Sequence, residues 1–230
     1  IEHYLASTGA SRLVVAESHR NRIDPLCKQL AIKVISVEQC LRSNVTKLPI
    51  VSSERRAMIL FTSGTTSKPK GVVTTHKAIE EQITVLVKAW KWEHNDVIPL
   101  FLPLHHVHGI IAVLGCALWS GATVHLMPKL DIAKLCGQVA SGTFNVFMAV
   151  PTIYVKLIDH LEAIEAEDAR KIRKGFAEMR LQVSGSAACP EEVFETWRRL
   201  TGQALLERYG MTEIGMAISN PYIGERRAGH

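Results

Sequence analysis

The chain has little of what marks membrane proteins and disulfide-stabilised secreted proteins. Its longest nearly uncharged apolar run, Gly109 to Trp119, is too short to cross a bilayer, so it predicts a buried helix and no transmembrane segment. The cysteines are odd in number and lack C-x-x-C spacing, which argues against a disulfide framework or a zinc site and favours a reducing, intracellular compartment. They are Cys27, Cys40, Cys116, Cys136 and Cys189.

Aromatic residues make up only 6% of the chain, and none interleave with the basic clusters at 55–56, 170–174, 198–199 and 226–227. This argues against a stacking platform for single-stranded nucleic acid. The net charge of +5 suits nucleic acid, a membrane surface or a polyanionic small molecule such as ATP or coenzyme A. Because the basic residues form small mixed clusters that solvated helix faces explain, we expect no nucleic-acid partner.

Three common catalytic or nucleotide-binding motifs are also missing. The Walker A pattern fails because Gly71 and Val72, not Ser or Thr, follow Lys70. No G-x-G-x-x-G follows a first strand, which excludes the usual dinucleotide-binding fingerprint. Ser186 lies in S-G-S-A-A and lacks the final glycine of the G-x-S-x-G nucleophile motif of α/β-hydrolases.

What is present is an alternation of apolar, partly β-branched runs with amphipathic stretches, in a chain that is 47% hydrophobic. This pattern predicts an α/β fold with largely parallel sheets flanked by helices. Residues 42–56 are expected to form a surface connection, and the mixed-charge segment 162–174 an exposed helix. The other expected helices are 24–30, 76–90, 109–119, 132–139, 151–161 and one beginning at Pro190. The expected strands are 13–16, 32–37, 58–61, 72–75, 97–102, 122–127, 145–150, 181–183 and one led by Leu205 and Leu206.

Three of these strands lead into loops rich in glycine and hydroxyl side chains: Ser63 to Gly71, Ser184 to Ala188, and Tyr209 to Glu213. In the first loop, Gly64 and Gly71 let the backbone approach an anion, and hydroxyls and lysines add donors and positive charge. Ligands of open parallel sheets sit beyond the carboxyl ends of the strands. We therefore predict that the three loops surround one nucleotide.

The string FTSGTTSKPKGV in the first loop closely resembles the signature loop of the adenylate-forming superfamily, which includes acyl-CoA synthetases, luciferases and peptide-synthetase adenylation domains. The later Gly-Ser-Ala segment and YGMTE string follow in the superfamily's order. Ser67 stands where that family usually has glycine, which implies a somewhat stiffer loop. The resemblance implies the partial large domain of the acyl-CoA synthetase fold.

The resemblance also implies roles for individual residues. Tyr209 would stack on the adenine, and Glu213 would hold Mg²⁺ with Thr65 nearby, because a carboxylate attacking a phosphate needs its negative charge neutralised. Thr65, Lys70 and Glu213 are the implied catalytic residues. The implied nucleotide-binding residues are Thr62, Ser63, Gly64, Thr65, Thr66, Lys70, Gly185, Ser186, Ala187, Tyr209, Gly210 and Thr212.

The string PLHHVHG contains three histidines, but no acidic or cysteine partner follows at a spacing that favours zinc. By the resemblance, His106 would lie beside the acyl pocket. His108, Arg180 and the string LERYGMTE look like malonate–CoA ligases. We hypothesise that Arg180 or His108 pairs with the second carboxylate of a dicarboxylic acid. The alternative is that Arg180 is simply an exposed residue at a strand start.

Taken together, residues 1–230 are expected to be an incomplete AMP-binding domain, with a small C-terminal domain absent from the chain. The implied reaction uses MgATP to convert a carboxylic acid to an acyl-adenylate and then transfers the acyl group to coenzyme A. A piece without the family's later catalytic lysine is expected to have little ligase activity. The alternative is a nucleotide-binding or interaction module without catalysis. The resemblance implies lipid metabolism in the mitochondrial matrix, with the cytoplasm as the alternative.

Overall fold

The computed structural model describes residues 1–42, 47–63 and 68–227. The chain divides into two compact units, Ile1–His76 and Lys77–His230, each with its own helices and strands. Both units combine strands with helices, and most strand pairs are parallel, which confirms the predicted α/β class. Within the described ranges, no helix is long and apolar enough to cross a membrane.

The first unit begins with a small β-α-β arrangement. Strands β1 and β2 pair in parallel, and α2 lies between them in the chain, as predicted. Leu5, Ile23, Cys27 and Ile32 form the buried core of this part. The elements of this unit are α1 Glu2–Thr8, β1 Arg12–Val15, a 3-10 turn Glu17–His19, α2 Arg20–Gln29, β2 Lys33–Ser36, α3 Val37–Leu41, β3 Arg56–Thr62 and β4 Lys70–Thr75.

The second unit contains most of the core. Its helices are α4 His76–Ala89, which starts at the last residue of the first unit, a π-helix His108–Gly115, α5 Cys116–Ser120, α6 Ile132–Ala140, α7 Pro151–Ala163, α8 Ala166–Ala177 and α9 Glu191–Thr201. Its strands are β5 Val97–Leu100, β6 Thr123–Leu126, β7 Val146–Ala149, β8 Leu181–Gly185, β9 Leu206–Met211 and β10 Gly215–Ser219.

The main sheet has the order β10-β9-β8-β7. Strands β7, β8 and β9 are parallel, and β10 folds back against β9 as an antiparallel hairpin. The stretch from Tyr209 to Glu213 is therefore not one loop, as the sequence suggested. Strand β9 continues through Met211 because β10 pairs with it, and only 212–214 form the turn.

Aromatic packing holds the helices onto this sheet. Phe147 on β7, Tyr154 on α7, Phe176 on α8 and Trp197 on α9 are fully buried and meet edge to face, an arrangement that favours aromatic pairs. The expected helix in the segment 162–174 is confirmed, but it is exposed on one face only. Helix α8 begins at Ala166 and is amphipathic, and its apolar face packs into this cluster.

The apolar run after the histidines is also irregular. It forms a π-helix followed by a short α-helix where one continuous helix was expected. Gly109 lies at its start, where a Cβ would come within 2.5 Å of the Pro103 carbonyl oxygen. The missing side chain lets the start of the π-helix pack closely against the Pro103 backbone, and the adjacent His108 is buried.

Candidate functional site

Two adjoining cavities lie beyond the carboxyl ends of β8 and β9, where the sequence predicted a ligand. The strands are neighbours, and Gly185 at the end of β8 is in register with Arg208 of β9. Ser186, Arg208 and Gly210 line both cavities. A ligand in one cavity would therefore lie close to a ligand in the other.

The first cavity, which we call the Tyr209 cavity, has a volume of about 570 Å³. Ser186 and Ala187 lie on one side of it and Tyr209 and Gly210 on the other, so the structure brings these four predicted nucleotide-binding residues together. Tyr209 is 58% exposed, so its ring is accessible. Gly185 lies just behind the wall, where a Cβ would overlap Arg208 Nε. Its side-chain position is therefore occupied by the arginine.

The second cavity, the histidine cavity, has a volume of about 600 Å³ and mostly apolar walls. His106, His108, Ser186, Arg208 and Thr212 are its polar lining residues. The apolar lining includes Phe101, Leu102, Val107, Leu130, Val150, Ile153 and Met211. A large apolar cavity with a few convergent polar groups is typical of a small-molecule site.

Ser186, His108 and Arg208 form a hydrogen-bonded cluster at the junction of the cavities. Arg208 Nη2 donates to Ser186 Oγ at 3.0 Å, and Ser186 Oγ lies 3.2 Å from His108 Nδ1. Since Ser186 Oγ already accepts from the arginine, its proton is available for His108 Nδ1, which leaves the histidine proton on Nε2. Ser186 holds this position with a φ of 72°, a left-handed conformation that is uncommon for residues other than glycine.

Burial tunes the two ionisable members of the cluster. It lowers the pKa of Arg208 to about 10, so the guanidinium stays charged at neutral pH. Burial, and secondly the positive charge of Arg208, lower the pKa of His108 well below its ordinary value, so this imidazole is neutral at pH 7. Within the described part of the chain, His108 Nε2 and Arg208 Nε are buried without a hydrogen-bond partner. Such groups are costly unless a ligand satisfies them.

Arg208 is the functional residue that the sequence reasoning missed. It lies within LERYGMTE, directly before Tyr209, and is only 6% exposed. None of the ion pairs among the described residues joins Arg208 to a carboxylate. The signal that could have found it is its position in the strand. Arg208 is the third residue of β9 and lies opposite Gly185 of β8. Because glycine has no side chain, the arginine side chain can pass over it to reach the cavities.

Arg180 is placed elsewhere, and the hypothesis that it pairs with a substrate carboxylate is corrected. It precedes β8, at the opposite end of the strand from Gly185 and Ser186. Its Nε donates to Asp96 Oδ1 at 2.6 Å and its Nη2 donates to Asp96 Oδ2. Asp96 is fully buried, and Arg180 also donates to the Trp90 carbonyl oxygen. The guanidinium is therefore already neutralised by the protein.

His106 lines the histidine cavity, as predicted, but its ring is more exposed than that of His108. Partial burial and the neighbouring His105 lower its pKa, which favours a neutral ring. No group of three or more His, Cys, Asp or Glu side chains with metal-binding geometry occurs among the described residues.

Thr212 and Glu213 lie in the turn between β9 and β10. Thr212 lines the histidine cavity, and Glu213 is exposed beside it. Their oxygens are the hard donors that Mg²⁺ prefers, and this ion usually takes most of its ligands from phosphates and water. One protein carboxylate at the rim of a cavity fits a magnesium ion that arrives with a nucleotide.

The residues predicted to bind phosphate, in the Ser63 to Gly71 loop that we call the phosphate loop, belong to the first unit. Strand β3 ends at Thr62, β4 begins at Lys70, and these two residues are an antiparallel pair, so the loop closes a hairpin rather than following a strand of a parallel sheet. Ser63 and Lys70 are exposed there. The predicted residues Gly64, Thr65 and Thr66 lie outside the described residues. The convergence of this loop with the cavities of the second unit stays a prediction.

The neighbouring part of the hairpin is attached to α1. His3 Nε2 donates to the Pro69 carbonyl oxygen at 2.9 Å, and the Tyr4 ring meets the Phe61 ring edge on at 4.5 Å. These contacts fix the end of β3 and the residue before β4 within the first unit. The base of the phosphate loop is therefore held at both sides.

Comparison with known proteins agrees with this geometry. The model of the AMP-binding enzyme family matches residues 1–230. Mitochondrial malonate–CoA ligase ACSF3 of Mus musculus is 40% identical over 244 residues, covering 100% of this chain and 42% of the relative. Malonate–CoA ligase of Arabidopsis thaliana is 40% identical over 183 residues, covering 75% of this chain and 30% of the relative.

Solved structures show the same likeness. ATP-bound MatB from Rhodopseudomonas palustris matches with a TM-score of 0.87 at 28% identity, over 99% of this chain and 45% of that chain. A malonyl-CoA ligase complex with methylmalonyl-CoA and AMP matches with a TM-score of 0.86 at 31% identity, over 99% of this chain and 47% of that chain. The chain thus spans less than half the length of these relatives. It belongs to the family of AMP-binding enzymes, among relatives that are acid–CoA ligases.

Proposed function

We propose that the protein containing this chain activates malonate with MgATP to an acyl-adenylate and transfers the acyl group to coenzyme A. The observation that carries the choice of acid is Arg208. Its guanidinium is buried at the junction of two cavities, and its Nε has no partner among the described residues. A buried cation of this kind favours a ligand with an anionic group, and the second carboxylate of malonate supplies one.

The cluster explains how one end of a dicarboxylic acid would be recognised. Arg208 contributes a charged donor, and neutral His108 contributes the Nε2 proton that the Ser186 hydrogen bond assigns to it. The other carboxylate would then face the Tyr209 cavity, because Ser186 and Gly210 belong to both walls. Acetate, which lacks the second carboxylate, would leave Arg208 and His108 unsatisfied.

The nucleotide would occupy the Tyr209 cavity. Ser186 and Ala187 would contact the adenine on one side, with Gly185 behind them in the wall, and the accessible Tyr209 ring would stack on it from the other. Thr62, Ser63, Lys70 and the residues between them would bind the phosphates through backbone N–H groups, hydroxyls and one ammonium. Glu213 and Thr65 would hold Mg²⁺, which supplies positive charge to the phosphate oxygens.

The chemistry follows from bringing two anions together. The acid's carboxylate oxygen attacks the α-phosphorus of ATP and displaces pyrophosphate, and the thiol of coenzyme A then displaces AMP. Lys70 neutralises charge that develops on the leaving phosphates, and preorganised donors of this kind lower the barrier because they need not reorient. We further propose that residues 1–230 are part of the adenylation domain and that the protein acts in the mitochondrial matrix, in lipid metabolism.

The test compares acids and two variants. Calorimetric binding to the chain in the presence of Mg·ATP, and acid-dependent pyrophosphate release, would be measured with malonate and acetate. We expect Arg208→Met to weaken malonate binding by a factor of about 100, the scale of a lost charge-assisted contact, and to leave acetate unchanged. Arg198→Met is the matched control, because Arg198 is an exposed arginine on α9 and lines neither cavity.

If Arg208→Met weakened the binding of malonate and acetate equally, the role assigned to Arg208 would be contradicted. If the wild type bound malonate no more tightly than acetate, the choice of acid would be contradicted. The same assay also tests the expectation that this chain alone has little ligase activity. Mg·ATP binding without pyrophosphate release would agree with little ligase activity in the chain alone and with the alternative of a non-catalytic nucleotide-binding module.

A further inference from the structure

The side chain of Gln82, on α4, contacts the edge of the main sheet beside the turn that carries Glu213. The backbone N–H of Met216 donates to Gln82 Oε1 at 2.7 Å, and Gln82 Nε2 donates back to the Met216 carbonyl oxygen at 3.4 Å. Among the residues that the structure describes, β10 is the edge strand of this sheet and pairs with β9 alone. The glutamine amide therefore acts as a one-residue substitute for the missing next strand.

The hairpin is shaped around this amide. Gly215 has a φ of +69°, and a Cβ there would overlap Gln82 Oε1. Gly210, on the facing strand, would drive a Cβ into the Gly215 carbonyl oxygen and to within 2.9 Å of Met216 Cα. Glycine is thus required at both positions, because the amide and the two strands approach more closely than side chains allow.

A separate contact attaches the far end of the same strand. Trp90, which follows α4, donates from Nε1 to Ser219 Oγ at 3.0 Å. Gln82 and Trp90 thus contact β10 at different positions, and of these two residues Gln82 is the one that adjoins the 212–214 turn. Removing the Ser219 hydroxyl should loosen the end of β10 without changing the 212–214 turn.

We propose that Gln82 is a positioning residue that fixes the 212–214 turn and so holds Thr212 and Glu213 in place for a magnesium-bound nucleotide. Gln82 itself need not touch the ligand. It acts through Met216 and Gly215 on the turn, whose closing hydrogen bond runs from the Ile214 N–H to the Met211 carbonyl oxygen at 3.2 Å. The role in metal binding depends on the proposed function, whereas the ordering of the turn does not.

The first measurement is hydrogen exchange of the Ile214 and Met216 amides in the ligand-free chain. We expect Gln82→Met, which keeps the side-chain length but removes both hydrogen bonds, to speed exchange at these amides by a factor of about ten or more. Gln82→Glu keeps the acceptor for the Met216 N–H and should stay within about threefold of wild type. Ser219→Ala and the exposed helix control Glu81→Ala should leave both amides unchanged.

The second measurement is ATP binding by calorimetry with Mg²⁺ or with EDTA. In the wild type we expect Mg²⁺ to tighten ATP binding. In Gln82→Met this gain in affinity should shrink by a factor of about ten, while the affinity for ATP in EDTA should stay within about twofold of the wild-type value. Gln82→Glu should restore the gain. A merely structural role would instead weaken binding equally with and without Mg²⁺.

The two measurements separate the possible failures. The proposal would be overturned if Gln82→Met left the exchange rates of the Ile214 and Met216 amides unchanged. It would also be overturned if these amides exchanged faster while Mg²⁺ still tightened ATP binding as much as in the wild type. If wild-type chain binds no nucleotide, the proposed function fails, and the exchange rates still decide whether Gln82 orders the turn. Should Gln82→Met not fold, Gln82→Ala also removes both hydrogen bonds to Met216, and the same faster exchange at the Ile214 and Met216 amides is expected.

Discussion

Two arginines at opposite ends of the same sheet show how similar side chains come to have different roles. Arg180 lies at the start of β8 and pairs through two nitrogens with the fully buried Asp96. Arg208 lies on β9, in register with Gly185 at the other end of β8, and is more buried than Arg180, but its side-chain hydrogen bond among the described residues goes to the neutral Ser186 hydroxyl. A buried cation with a carboxylate of its own contributes to the fold, whereas one without a carboxylate is suited to a ligand.

The largest effect we expect is on folding, from Arg180→Met. This substitution leaves the Asp96 carboxylate buried without its cation, which costs about 3–5 kcal/mol in comparable cases. Urea denaturation would measure the free energy of unfolding. Adding Asp96→Asn to Arg180→Met should recover part of the loss, because the double variant no longer buries a charge. A loss below about 1 kcal/mol in Arg180→Met would mean that the pair is not structural.

The second prediction concerns pH and the other end of the sheet. His108 is buried with a lowered pKa, so below its ordinary pKa of about 6.5 the unfolded chain binds a proton that the folded chain does not. Stability from this group is therefore present above that pH and decreases as the pH falls, by up to about 1.4 kcal/mol per pH unit. His108→Asn should flatten this dependence between pH 7 and 5, as measured by urea denaturation at each pH. Equal slopes of the free energy of unfolding against pH in the wild type and in His108→Asn would contradict this prediction.

The smallest expected effect has the opposite sign to the first. Arg208→Met removes a buried charge that has no carboxylate partner among the described residues, so the ligand-free chain should be as stable as wild type or more stable by about 1 kcal/mol. Thermal unfolding without ligand would measure this. Destabilisation as large as that of Arg180→Met would remove the distinction between the two arginines.

The sequence could not separate these arginines, because what distinguishes them is remote in the chain. Asp96 precedes Arg180 by 84 residues, and Ser186 precedes Arg208 by 22. Neither the neighbours of Arg180 nor those of Arg208 in the chain include the residue that its guanidinium contacts, so the local pattern does not show which arginine is paired with a carboxylate. Arg180 was chosen because its segment looked like that of malonate–CoA ligases, and the structure shows that its charge is already balanced.

Where the local signals were sufficient, the prediction from sequence was accurate. Helix α9 follows Pro190, carries Glu191 and Glu192 in its first turn, and ends at Gly202 with a φ of 74°, as its residues indicated. The end of β9 was missed, because Tyr209 to Met211 become a strand only through pairing with β10. The π-helix was missed for a similar reason. Apolar composition predicts a buried helix but does not determine its hydrogen-bond register.

The two glycines of the β9–β10 hairpin, Gly210 and Gly215, bear on attempts to change which acid is accepted. Gly210 and Gly215 leave no space for side chains, so randomised libraries that include them would consist largely of misfolded members. Leu130 and Ile153 line the histidine cavity from other elements and are only partly buried. Diversity placed at those two positions would reshape the acid's surroundings while the hairpin stays intact.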